Sequence, residues 1–289
     1  MLAAGTLSIV KAYRTGSLNR RSFLDRLIAI TGSMAAAHLL LESTGLASTL
    51  VSQVESSQIN VESGTVTYPS ADGTSVSGYL SSPQGKGKFP GLIVIHENRG
   101  LNEHIRDVTR RFAAQGFVAL APDLLSRKGG TGSMPSPDAA RDAIMSVSNE
   151  VALADLNAAL AYLDKQKNVQ KGHLGCVGFC WGGARSFLLA TASDLLKAAV
   201  VFYGSAPPEE NLATIHCPVL GLYGETDERI TSRVPEVAET MKKKDKQFTY
   251  KIYPGAGHAF FNDTSDRYNA DAAKDAWDRA NEFLRKHLT

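Results

Sequence analysis

The hexapeptide Gly178-Phe179-Cys180-Trp181-Gly182-Gly183 lies between an apolar run, His173-Leu174-Gly175-Cys176-Val177, and the helix-like stretch Ala184-Arg185-Ser186-Phe187-Leu188-Leu189-Ala190. A chain that turns abruptly from strand into helix needs small residues on both sides of the turning residue, because a Cβ there would meet the opposing backbone. Gly178 and Gly182 supply that room around Cys180. The pattern therefore asks for a strand that ends in a sharp turn, with a helix N-terminus directly behind it. Such a helix end favours a thiolate and a developing oxyanion. Cys180 is thus a candidate nucleophile, and acyl transfer is the chemistry it suits.

The rest of the chain reads as a frame for such a turn. Val61 to Tyr68 and Thr74 to Leu80 alternate apolar and polar residues around Ala71-Asp72-Gly73, which predicts an antiparallel hairpin. Strands are then expected at 91–95, 117–121, 173–177, 197–203, 219–223 and 248–253. Helices are expected at 104–115, 138–167, 184–190, 234–244 and 267–287. Alternation of this kind predicts an α/β fold with a mostly parallel central sheet covered by helices on both faces. Sites in such sheets lie beyond the carboxyl ends of the strands.

Two more candidates fall at those ends. Val219-Leu220-Gly221-Leu222-Tyr223 runs into a loop carrying Asp227, with Glu225 and Glu228 as local rivals and helix capping as its alternative role. Tyr253-Pro254-Gly255-Ala256-Gly257 leads to His258. Nucleophile, acid and histidine in this order match the α/β-hydrolase arrangement. A thiol needs a base to be deprotonated reliably at neutral pH, and the imidazole needs a carboxylate to fix its tautomer.

Hydrophobic residues make up 43% of the 289 and charged ones 21%, as in an ordinary globular protein with a large core. The net charge of +2 arises at the N-terminus, where Lys11, Arg14, Arg20, Arg21 and Arg26 face only Asp25 and Glu42. The near-neutral remainder has no footprint for a nucleic-acid partner. Lys242-Lys243-Lys244-Asp245-Lys246 reads as a solvated helix end. Cys176 and Cys217 read as small buried residues, and the cysteines show neither a disulfide framework nor metal-ligand spacing.

Asn19-Arg20-Arg21-Ser22-Phe23-Leu24-Asp25 resembles a twin-arginine export signal. It is followed by a nearly uncharged stretch from Leu27 to Leu41 and by Gly45-Leu46-Ala47, which a signal peptidase would accept. The expectation is export to the periplasm, with transient use of the export machinery. The alternative is a cytoplasmic protein whose amphipathic N-terminal helix packs on the body or mediates association. Ser48 to Gln58 reads as a linker, so residues 1–58 are expected to form an extension and 59–289 the hydrolase-like domain.

From about residue 60 to 287 the chain resembles the dienelactone hydrolase family, the carboxymethylenebutenolidase-like α/β-hydrolases. The elbow, the Asp227 and His258 loops, and Ile95-His96-Glu97-Asn98-Arg99-Gly100-Leu101-Asn102 carry the resemblance. It implies that Glu97 contacts the nucleophilic cysteine and helps to activate it when substrate arrives. An anion beside a thiol disfavours the thiolate and protects it from oxidation until then. The alternative for Glu97 is a salt bridge with Arg99 or Arg106.

The resemblance further implies an oxyanion hole built from the backbone amides of Trp181 and Asn98. It implies a cysteine-dependent hydrolase that opens a lactone or cleaves a small ester through a thioester, without metal or organic cofactor. Family arginines hold a substrate carboxylate, one of them shortly after the histidine. Here Ala259-Phe260-Phe261-Asn262 contains none, so Arg99 and Arg141 are the substrate-binding candidates, and Arg99 could instead pair with Glu97. Competing readings are a broader esterase or thioesterase, and a non-catalytic protein in which Cys180 is a redox-sensing thiol. The oligomeric state is left open.

Overall fold

The structure, a computed structural model, describes residues 61–289 and, before them, Ile9, Phe23, Arg26, Ala29 and Ile30. Apart from those single positions, the twin-arginine stretch, the apolar stretch 27–41, residues 45–47 and the linker 48–58 lie outside the described residues. The chain divides into two units, Met1–Ser57 and Gln58–Thr289. Among the described residues, no helix is long and apolar enough to cross a membrane.

The second unit is built on one eight-stranded sheet in the order β1-β2-β4-β3-β5-β6-β7-β8. β1 (Val61–Pro69) and β2 (Ser75–Pro83) form the hairpin, and β2 pairs antiparallel with β4 (Val118–Pro122). All other pairings are parallel. They join β3 (Phe89–Ile95), β4, β5 (Val169–Phe179), β6 (Leu196–Phe202), β7 (Val219–Gly224) and β8 (Phe248–Tyr253). The helices are α1 (Glu103–Ala114), α2 (Pro137–Met145), α3 (Asn149–Asp164), α4 (Trp181–Ala190), α5 (Glu209–Leu212), α6 (Glu228–Thr231), α7 (Val234–Lys243) and α8 (Ala270–Leu288).

Alternating residues of the inner strands feed two cores, as a parallel sheet buried on both faces requires. Ile93 and Ile95 join Leu156, Leu160 and Leu163 of α3 and Phe187 of α4 on one face. Leu92 and Val94 join Ile105, Val108 and Phe112 of α1 and Leu284 of α8 on the other. The expected mostly parallel sheet with helices on both faces is the fold observed.

Three of the expected helices differ in their bounds by three residues or more, and α4 starts at Trp181 rather than Ala184. The stretch 138–167 is two helices, because the Ser148 hydroxyl accepts from Val151 N at 3.3 Å and starts α3 afresh. α8 starts at Ala270, capped by Asn269, whose side chain accepts from Ala272 N at 3.1 Å. The one-turn helices α5 and α6 are too short to show a periodicity.

Candidate active site

The site grows from the turn between β5 and α4. Cys180 sits at φ 57° and ψ −116°, a conformation that side chains rarely adopt. A Cβ at Gly178 would collide with the Gly182 backbone, and one at Gly182 with the backbone of Ile95 and His96. The two glycines therefore let β5, the turn and the end of β3 close on one another. Two other non-glycine residues with positive φ, Tyr203 (40°) and Ala259 (64°), also border the site.

Loops from the neighbouring strands complete a line of side chains. The Cys180 Sγ lies 3.0 Å from His258 Nε2, and His258 Nδ1 lies 2.6 Å from Asp227 Oδ2. The Asp227 carboxylate is a hydrogen-bond acceptor, which places a proton on Nδ1 and turns Nε2 toward the sulfur. Burial works against a charged imidazole. The hydrogen bond His258 donates to Asp227 and the interaction with Cys180 outweigh it and raise His258 to about 9. Asp227 is the acid in contact, whereas Glu225 accepts from Gly255 N at 2.9 Å. Asp227 is also the N-cap residue of α6, but its side chain makes no capping bond.

Glu97 lies just past β3 and is buried. Its partners are neutral: the Tyr203 hydroxyl donates to Oε1 at 3.3 Å, and Asn262 Nδ2 donates to Oε2 at 2.6 Å. Asn262 is oriented from its other side, because its Oδ1 accepts from both N and Oγ1 of Thr264. Tyr203 is fully buried, and burial followed by the Glu97 charge pushes its phenol well above 10, so it stays a donor.

Each Glu97 oxygen accepts from one of these two donors, and no hydrogen bond joins the carboxylate to Cys180. It also forms no salt bridge with Arg99 or Arg106. Arg99 is exposed and has no ion pair among the described residues, while the Arg106 guanidinium lies over the Tyr79 ring at 5.0 Å. Arg141 is exposed on α2 with Asp142 at 3.6 Å, apart from the Cys180, His258 and Asp227 contacts. Sequence reasoning missed Tyr203 and Asn262 as partners of Glu97, since neither lies in a motif.

The amides of Asn98 and Trp181 donate to no backbone carbonyl among the described residues. Trp181 is the first residue of α4, where helix N–H groups are free to meet an anion. Cys176 and Cys217 are buried free thiols. Among the described residues, no cluster of His, Cys, Asp or Glu could hold a metal ion.

A mostly parallel sheet with a strained strand-to-helix turn and these loops at its carboxyl rim defines an α/β-hydrolase. Residues 76–288 match the model of the dienelactone hydrolase family, and the chain belongs to that family. A "Putative carboxymethylenebutenolidase" of Methylorubrum extorquens is 31% identical over 283 residues, covering 94% of this chain and 96% of its own length. Another so named, from Saccharolobus solfataricus, is 36% identical over 253 residues, with 75% of this chain and 96% of its own covered. The crystal structure of a "Putative Dienelactone Hydrolase" from Klebsiella pneumoniae superposes with a TM-score of 0.72 at 30% identity, covering 78% of this chain and 99% of that one. The chain is a dienelactone hydrolase-like enzyme, a hydrolase acting on a lactone or ester.

Proposed function

We propose that the chain opens a lactone or cleaves a small ester by cysteine catalysis. The observation that carries this reading is the unbroken line from Cys180 Sγ to His258 Nε2 at 3.0 Å and from His258 Nδ1 to Asp227 Oδ2 at 2.6 Å. His258, raised to about 9, takes the thiol proton before attack, and the Cys180 sulfur attacks the carbonyl carbon as a thiolate paired with the imidazolium. The amides of Trp181 and Asn98 stabilise the oxyanion, which forms only in the transition state and the intermediate that follows. Collapse breaks the ester C–O bond, and His258 returns the proton to the leaving oxygen. A water deprotonated by His258 then attacks the thioester and releases the acid and the thiol. Asp227 holds the imidazole tautomer throughout. These steps use no metal or organic cofactor.

Glu97, held by Tyr203 and Asn262, is the carboxylate that modulates the thiol in this reading, and exposed Arg99 is a candidate contact for a substrate carboxylate. Assay of carboxylated lactones and neutral aryl esters tests both levels. Cys180→Ala abolishes turnover of both classes while the fold is retained, whereas Arg99→Ala raises KM for carboxylated lactones alone. Undiminished turnover in the Cys180→Ala chain would defeat the reading.

Export is a separate proposal, supported by Arg20-Arg21 and the residues that follow. Replacing both arginines by lysine is expected to leave a full-length precursor inside the cell. Mass spectrometry of the native protein is expected to give an N-terminus near Ser48; Met1 on cytoplasmic protein would contradict export.

A further inference from the structure

His96 is fully buried at the end of β3 and takes no part in the steps above. Both of its ring nitrogens are committed. Nε2 lies 3.2 Å from Leu124 N, and a backbone N–H can only donate, so Nε2 is the unprotonated nitrogen. Nδ1 therefore carries the ring proton and donates it to the Glu97 carbonyl at 2.7 Å. Burial lowers the pKa of the imidazole and favours this neutral form.

The carbonyl held in this way belongs to the peptide unit that also contains the Asn98 N–H. That unit is planar and trans, so fixing the direction of its oxygen fixes the N–H on the opposite side. Gly100 N also reaches the Glu97 oxygen, at 3.3 Å, and closes a local turn. The His96 bond is the shorter one, and it ties the turn to the segment after β4 through Leu124. The same imidazole stacks on the Trp181 indole, with ring centroids 5.8 Å apart and planes within 10°. One buried side chain thus touches the supports of both free amides.

We propose that His96 is a positioning residue for the oxyanion hole: its Nδ1–H aims the Asn98 amide, and its stacking on Trp181 fixes the spacing between the two donors. The proposal rests on the reading of those two amides as oxyanion donors. His96 touches neither the sulfur nor the scissile bond.

Two amide variants of the full chain separate its contacts. The side-chain nitrogen of Asn falls near the place of Nδ1, and the end of a Gln side chain falls near Nε2. Loss of one oxyanion donor costs about 10²–10³ in kcat, so misaiming one in His96→Gln is expected to lower kcat for an aryl ester about ten- to a hundredfold with little change in KM. His96→Asn is expected to recover most of that loss. A trifluoromethyl ketone, which forms a tetrahedral oxyanion on a thiol, should lose affinity for the Gln variant in step with kcat. Alkylation of Cys180 by iodoacetamide develops no oxyanion, and its rate should stay near that of the wild type.

Wild-type kcat in His96→Gln, or parallel losses of kcat and alkylation in both variants, would overturn the proposal. Nitrogen-15 NMR of the wild-type imidazole tests it whether or not the variants fold. A protonated Nδ1 and bare Nε2 are expected for His96, and the opposite tautomer would overturn it. Failure of the underlying reading has its own signature, undiminished turnover in Cys180→Ala, and would remove the proposal with it.

Discussion

The carboxyl rim of the sheet holds two carboxylates in contrasting surroundings. Asp227 ends a line of titrating groups, with His258 raised to about 9 between it and the partly exposed Cys180. Glu97 ends in neutral donors, the Tyr203 phenol and the Asn262 amide, with no cation at hydrogen-bond distance among the described residues. A proton can pass along the first arrangement. The second holds a carboxylate in place through groups that neither gain nor lose a proton near neutral pH. Geometry thus divides one rim into a part suited to move charge and a part suited to fix it.

That division predicts which substitutions act on rate and which on stability. His258→Ala is expected to lower turnover by on the order of a thousandfold or more. Asp227→Asn replaces the carboxylate that sets the tautomer with an amide that can also donate, and a comparable change in a serine triad costs about 10⁴ in kcat. Steady-state kinetics and thermal melts on the same preparations test both variants. A large fall in melting temperature with modest loss of turnover would erase the contrast.

Asn262→Leu should behave in the opposite sense. It strips a charge-assisted hydrogen bond worth about 1.5–3 kcal/mol from a buried carboxylate, a loss of roughly 3–12 °C for a unit of this size. Turnover is expected to fall by less than in the His258 variant. An unchanged melting temperature would show that Glu97 does not depend on Asn262.

The smallest effect is on the pH dependence of stability. His258 titrates near 9 in the fold against an ordinary 6.5, so its charged form favours the folded state. That contribution is fully present below pH 6.5 and is lost as pH rises through about 9. Melting temperature should decline across this window in the wild type and decline less in Asp227→Asn. Parallel curves would show that the Asp227 contact does not set the His258 shift.

Much of the fold was legible because each device has a local signature. Gly178 and Gly182 announced the turn, and apolar runs ending in Asp227 and His258 loops placed two further side chains at strand ends. The break between α2 and α3 was harder to read, since it depends on one serine cap inside an otherwise helical composition. The surroundings of Glu97 were not legible at all. Tyr203 reaches it from 106 residues away and Asn262 from 165, and tertiary approach of that kind leaves no spacing to read. A nearby cation, Arg99, was the natural sequence-level partner for Glu97, but it is exposed instead. The role of His96 was hidden for the same reason, because Leu124 defines its tautomer from another loop.

In the proposed mechanism Cys180 carries the acyl group between attack and hydrolysis. Acid quenching during turnover of an aryl ester, followed by peptide mass spectrometry with fragmentation that separates Cys180 from Cys176, measures this directly. One acyl group is expected on Cys180, removed by neutral hydroxylamine and absent from the Cys180→Ala chain, which is expected not to turn over. An acyl group on another residue, or continued hydrolysis by Cys180→Ala, would contradict it.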